Sequence, residues 1–218
     1  MILGKLQNKY INQRCFIICS GPSLLHEDLS VLKNEKIFIV NQSYKAYSLG
    51  LSHHDFYVLT DLRVYVEHQK EIIEKSGYPR FYNSNICNEI TYKNGPKEEF
   101  IPIIKKEENR NSFDKGIMPI SYDLGWGKTR TVALDAALVA FFLGFNKIYL
   151  LGADFSFNPT SNTHFYDERK EFWIPQGISN TVNLLNHFFK MNNTLMVNLS
   201  SGYKNNLNFF TDKLINII

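Results

Sequence analysis

Three cysteines in 218 residues are too few for a disulfide framework. Cys15 and Cys19 lie in or beside an apolar run and are expected to bury as small hydrophobes, and their C-x3-C spacing has no partner pair to make a zinc site. Cys87 stands alone. No apolar stretch has the length a bilayer demands. The longest, VALDAALVAFFLG (132–144), is too short and carries Asp135. Lys5, Gln7, Asn8 and Lys9 interrupt the start before an apolar run forms, so no secretory leader is expected. A reducing cytoplasm is the expected location, compatible with peripheral contact at the inner membrane. Excess charge of one sign is also scarce. The net charge of +3 is too weak to argue for nucleic acid, and Lys105 and Lys106 are diluted by the acids that follow them. An anionic small substrate or acidic lipid suits that balance. Familiar site motifs are missing as well. The SGPS turn (20–23) is not a G-x-G-x-x-G fingerprint and lacks the glycine-lysine pair of a P-loop, and the chain has no G-x-S-x-G elbow. No internal repeat or low-complexity segment occurs.

What is present is a globular composition, 44% hydrophobic and 21% charged, rich in aromatics with 17 Phe and 12 Tyr. Short apolar runs punctuate it: CFIICS (15–20), IFIVNQ (37–42), FYVLTD (56–61), KIYLLGAD (147–154) and LMVNLS (195–200). None alternates strictly, as expected of strands covered on both faces. Between them, 62–77 carries Leu62, Val66, Gln69, Ile72 and Ile73 at helical spacing, closed by Gly77. The 131–144 stretch is apolar throughout and closed by Gly144. ISNTVNLLNHFFKMNN (178–193) forms a third helix, capped by Ser179 or Asn180. Strand and helix alternation predicts one three-layer α/β domain over 1–218 with a mainly parallel sheet. Residues 82–127, dominated by asparagine, glycine, proline and charge, read as a loop-rich insertion with an edge strand or two. Residues 155–177 read as a short lid-like loop.

In such a domain ligands bind beyond the carboxyl ends of the strands. Ser20, Gly21, Pro22 and Ser23 follow the first strand, Asn41 and Gln42 the second, Thr60, Asp61 and Arg63 the third, and Gly152, Asp154 and Ser156 the fourth. Gly21 admits close approach to the backbone, and Pro22 and Ser23 open a helix whose amides suit an anion. The same residues also make a plain strand-to-helix turn. Asn41 suits a nucleobase, a ribose or its own turn. Asp61 suits ribose hydroxyls, a divalent cation shared with Asp154, or a helix cap. Ahead of the apolar helix, Lys128 and Arg130 suit a phosphate or carboxylate, with Thr129 or Thr131 at the helix head. In NTHFYDE (162–168), His164 is the candidate general base, beside Tyr166 and Asp167. His68 and His187 fall in helices, His53 and His54 in a surface turn, and His26 is a rival base. Cys19 stands close enough to be weighed as a nucleophile.

FIICSGPSL (16–24), VNQSY (40–44) and ALVAFFLGFNKIYLLGADFSF (137–157), followed by THFYD (163–167), carry a resemblance in order and spacing. The chain resembles the small bacterial sialyltransferases of the Campylobacter type, glycosyltransferase family 42, and the related proteins of domain of unknown function 115, or MptE-like. The resemblance implies a Rossmann-like domain that takes a CMP-sugar donor and a glycan acceptor. The family's Gly-Asn-Gly-Pro-Ser turn matches Cys19–Ser23, with Ser20 replacing asparagine. Its strand-two asparagine matches Asn41, and a second nucleotide-binding asparagine matches Asp61. Its histidine base matches His164, and Tyr166 stands in for the lid tyrosines on the leaving phosphate. Gly152, Asp154 and Thr131 complete the expected binding set. A homo-oligomer is also implied. Two alternatives remain open. One is a magnesium- and ATP-dependent pyrophosphokinase using Asp61 and Asp154. The other is a non-catalytic nucleotide-binding protein of a surface-polysaccharide pathway.

Overall fold

The computed structural model describes residues 5–77, 79–92, 101–103, 105–106, 120–121, 125–127, 129, 131–155, 163–166, 177–201, 207 and 209–218. Its strands are β1 (Arg14–Ile18), β2 (Ile37–Val40), β3 (Phe56–Leu59), β4 (Arg80–Asn83), β5 (Ile101–Ile103), β6 (Lys105–Lys106), β7 (Ile120–Ser121), β8 (Gly125–Gly127), β9 (Lys147–Leu151), β10 (Leu195–Asn198) and β11 (Phe210–Thr211). The helices are α1 (Leu62–Lys75), α2 (Ser84–Tyr92), α3 (Val132–Phe142), α4 (Ile178–Met191) and α5 (Leu214–Ile217). Short 3-10 helices follow β1 (Pro22–His26 and Leu29–Leu32) and β2 (Ser43–Leu49).

Eight strands form one sheet in the order β11-β10-β9-β1-β2-β3-β4-β5, and every pairing in it is parallel. Parallel pairing needs crossovers, and these cover both faces. Successive residues of each central strand therefore enter two different cores. Cys15 and Ile17 of β1, Phe38 and Val40 of β2, Phe56 and Val58 of β3, and Ile148 and Leu150 of β9 pack on the side of α3 and α4. Phe16 and Ile18, Ile37 and Ile39, Tyr57 and Leu59, and Tyr149 and Leu151 pack on the other side, with Tyr65 and Ile72 of α1 and Ile86 of α2. This double burial removes the polar-apolar alternation, and each large side chain so buried contributes about 1.5–3 kcal/mol. The expected three-layer α/β architecture with a parallel sheet is the one observed. Helix α3 lies across β1, β2, β3 and β9, so nearly all of its circumference is buried. Its single acid, Asp135, is buried and accepts from the Thr129 hydroxyl.

Several local expectations differ from the structure. The stretch read as a loop-rich insertion with an edge strand or two also holds the helix α2, and its β5 pairs with β4 at the edge of the main sheet. Ile86, Cys87 and Ile90 supply the buried face of α2. Only β6, β7 and β8 stand apart, as a three-stranded sheet. Helix α4 has no side-chain cap from Ser179 or Asn180; Gly177, at φ 73°, precedes its first turn instead. His54 is not a surface residue. Its ring lies between the Tyr47 hydroxyl and the Ser76 carbonyl, 2.5 Å from the latter, and burial lowers its pKa from 6.5. Among the described residues no helix is long and apolar enough to cross a membrane.

Candidate functional site

From β1 the chain winds outward through β2, β3, β4 and β5, then returns through α3 to place β9 on the other edge of β1. The carboxyl ends of β1 and β9 thus flank the point where the winding reverses, which opens a crevice. The residues after β1 and after β9 are tied directly together there. Gly21 N–H donates to the Gly152 carbonyl at 2.7 Å. A Cβ on Gly21 would lie 2.5 Å from that carbonyl oxygen and 2.6 Å from the Asp154 carboxyl carbon. Glycine is required here by this close approach, since the Gly21 backbone itself is extended at φ −64°. Gly152 needs glycine for a different reason, its φ of 64°.

Asp154 takes the place that a bound anion was expected to fill. Its Oδ2 accepts from Ser23 N–H at 2.8 Å, and its Oδ1 accepts from the Ser23 hydroxyl. Leu24 N–H is also engaged, by the Gly21 carbonyl. The amides at the head of the helix that Pro22 opens are therefore satisfied by the protein. Burial raises the Asp154 pKa, and the two Ser23 bonds oppose that rise. The loop is held from the far side as well. Ala153 N–H donates to Ser200 Oγ at 2.8 Å, and Asn198 Nδ2 donates to the Ala153 carbonyl at 2.9 Å. Both Asn198 and Ser200 are buried. Sequence reading missed them, although polar residues closing the apolar run LMVNLS were the available signal.

Ser20 meets the lid-like segment. Phe165 N–H donates to the Ser20 carbonyl at 2.9 Å, and Ser20 Oγ lies 2.8 Å from His164 Nδ1. The imidazole is further held by Tyr166, whose ring stacks on it at 5.3 Å with planes 5° apart. Lys45, from the 3-10 helix after β2, puts its ammonium 4.4 Å from the centre of the Tyr166 ring. Tyr44 is buried beside this group. Its hydroxyl is buried close to the Glu71 carboxylate. Burial first, then Glu71, raises the phenol's pKa, so it stays neutral.

Asn41 ends β2 in the left-handed region at φ 46°. Its N–H donates to the Val58 carbonyl and its own carbonyl accepts from the Tyr57 hydroxyl. Its side-chain Oδ1 is buried and meets no donor among the described residues. An unpaired buried acceptor costs about 1–3 kcal/mol, which a ligand donor would recover. Asp61 caps α1, accepting from Arg63 N–H at 2.9 Å, and pairs with the Arg63 guanidinium at 3.1 Å. Thr131 caps α3 through Leu134 N–H. Cys19 is buried, and burial followed by the nearby Asp154 pushes its thiol pKa up, away from nucleophilic use. Asp61 and Asp154 are thus both occupied at helix starts, and no cluster of three or more His, Cys, Asp or Glu with metal-binding geometry occurs among the described residues. Lys128, Arg130, Ser156 and Asp167 lie outside the described residues.

No protein-family model matches the chain, and no curated protein matches it significantly. Solved structures do resemble it. A MAf glycosyltransferase from Magnetospirillum magneticum AMB-1 superimposes with a TM-score of 0.59 at 17% identity, over 94% of this chain and 34% of that one. The chain therefore spans about a third of that enzyme's length. The sialyltransferase CstII from Campylobacter jejuni, in complex with the substrate analogue CMP-3FNeuAc, gives 0.54 at 16% identity, over 93% and 87% of the two chains. A sialyltransferase CST-II structure with trisaccharide acceptor and CMP gives 0.51 at 19% identity, over 90% and 88%. At these identities the likeness is one of fold: the chain has the Rossmann-like fold of these sugar transferases.

Proposed function

We propose that the chain is a glycosyltransferase of the sialyltransferase-like kind, moving a sugar from a CMP-activated donor to a hydroxyl of a bacterial surface glycan. The observation that carries this reading is the 2.8 Å contact between Ser20 Oγ and His164 Nδ1 at the reversal point of the sheet. It supports the reading because open α/β sheets take ligands beyond the strand ends at such a point. With Nδ1–H donating to Ser20, the lone pair of His164 is on Nε2, the tautomer a general base requires. The solved structures lend support, because two of the sialyltransferases similar in fold were captured with CMP or a CMP-sugar analogue.

In this reading the nucleotide lies over the carboxyl ends of β1, β2 and β3. The unpaired Oδ1 of Asn41 accepts from a base or ribose donor, and Asp61 accepts from ribose through the oxygen facing Arg63. Gly21, Pro22, Ser23, Gly152 and Asp154 shape the floor: Gly21 N–H and both Ser23 donors are already engaged, and Pro22 has no N–H to offer. Thr131 sets the start of α3, and Tyr166 faces the leaving phosphate while backing the imidazole. His164 takes the proton of the acceptor hydroxyl as its oxygen bonds to the anomeric carbon. The bond from that carbon to the phosphate oxygen breaks, and CMP leaves with the electron pair. Such general-base assistance is worth about 10²–10⁴ in rate. Asp61 and Asp154 each accept from one backbone amide, Arg63 N–H and Ser23 N–H, which favours their use as caps over a shared magnesium ion.

Calorimetric titration with CMP, CDP, UDP and ATP, each with and without magnesium, tests the donor. Metal-independent preference for CMP supports the reading. ATP binding that collapses with chelator overturns it in favour of pyrophosphoryl transfer.

A further inference from the structure

We infer that Lys45 is the cation that receives the donor's phosphate, an assignment that rests on the glycosyl-transfer reading of the site. Lys45 is half-buried at the carboxyl end of β2. Its ammonium donates to Gln42 Oε1 at 3.0 Å and lies 4.4 Å from the Tyr166 ring centre. Gln42 is itself buried, so the lysine stem has little freedom. Arg14, Lys36 and Arg63 each reach a carboxylate within 4 Å, at Glu35, Asp55 and Asp61. Lys45 reaches none among the described residues. An amide oxygen and an aromatic face hold an ammonium in place without neutralising it. A partly desolvated, preorganised positive charge is the arrangement that favours charge developing on a leaving group.

The spacing agrees with the chemistry. Tyr166 contacts both the ammonium and the imidazole it stacks on, and the 5.3 and 4.4 Å separations keep the two within about 10 Å. In an in-line displacement the base contacts the attacking oxygen on one side of the anomeric carbon, and the phosphate departs on the other. Two hydrogen bonds of about 3 Å and the partial bonds between them span a similar length. One aromatic residue thus contacts both the proton acceptor and the cation assigned to the phosphate.

The test titrates CMP, cytidine and CMP-sialic acid into the wild-type chain and into Lys45→Ala, Lys45→Gln and Lys45→Arg, each first checked for an unchanged melting profile. Lys45→Gln preserves a polar head for Gln42, so a folding defect in the alanine variant does not decide the outcome. The expected result is a loss of about tenfold or more in CMP affinity for the Ala and Gln variants, unchanged cytidine affinity, and near-normal CMP binding by Lys45→Arg. Equal CMP binding by wild type and Lys45→Gln overturns the assignment while leaving the site reading intact. Equal loss of CMP and cytidine overturns it by making Lys45 a prop of the pocket. A loss seen only with CMP-sialic acid overturns it by moving the cation to the sugar carboxylate. Failure of the wild type to bind either CMP or cytidine removes the site reading and this inference together.

Discussion

Ser20 and His164 are 144 residues apart in sequence and 2.8 Å apart in space. The contact joins the turn after β1 to the segment after β9, and Asp154, which also follows β9, binds the same turn through Ser23.

Replacing His164 with Ala or Gln is expected to reduce turnover by about 10²-fold or more while CMP affinity stays within about twofold. Paired steady-state kinetics and calorimetry read this. Equal loss of binding and turnover would sink the role of base.

Ser20→Ala removes the partner of Nδ1 but leaves the Phe165 N–H bond to the residue 20 carbonyl. The expected outcome is a fall of about tenfold in kcat with little change in KM, and a shifted kcat–pH profile, because the imidazole loses its preference for one tautomer. An unchanged profile would show that Ser20 does not set the tautomer.

Gly21→Ala is expected to destabilise the fold by about 2–4 kcal/mol, since the new methyl would meet Gly152 O at 2.5 Å and neither backbone nor carboxylate there is free to retreat. Urea unfolding measures it. A change below about 0.5 kcal/mol would show that the two turns are not rigidly docked.

Asp154→Ala leaves the buried Ser23 N–H and hydroxyl without their acceptor and is expected to cost about 2–4 kcal/mol. Asp154→Asn keeps one acceptor and is expected to fall between. A wild-type midpoint for Asp154→Ala would remove the clamp from the account.

His54 supplies a pH dependence. Burial holds its folded pKa below the ordinary 6.5. As pH falls through 6.5 toward the lower folded value, the unfolded chain takes up a proton that the folded chain does not, so stability decreases. Melting temperature is expected to drop from pH 7 to pH 5, with a shallower slope in His54→Gln. An identical slope would assign the dependence to other groups.

The apolar runs that became β1, β2, β3, β9 and β10 were legible because strands covered on both faces need hydrophobic residues at every position. The helices α1, α3 and α4 were legible from apolar spacing and length. Helix α2 was hidden, since Ile86 and Ile90 stand at helical spacing within a polar stretch. Strand β11 is two residues long and exists through its pairing with β10, which no local pattern announces.

Residue type and order by themselves determined that small and polar groups would collect at the ends of the central strands, because the buried runs stop at Ser20, Asn41, Asp61 and Gly152. Which of those groups is engaged within the protein was decided in part only by the tertiary structure. A carboxylate at a strand end suits a cation, a ribose or an amide equally well, and the choice depends on what the fold brings within 3 Å. Asp61 meets only its own helix start, at Arg63. The fold brought Ser23 to Asp154, left the Asn41 oxygen buried without a donor among the described residues, and carried Lys45 to Tyr166. These are contacts between distant segments, and their geometry follows from the order of strands in the sheet.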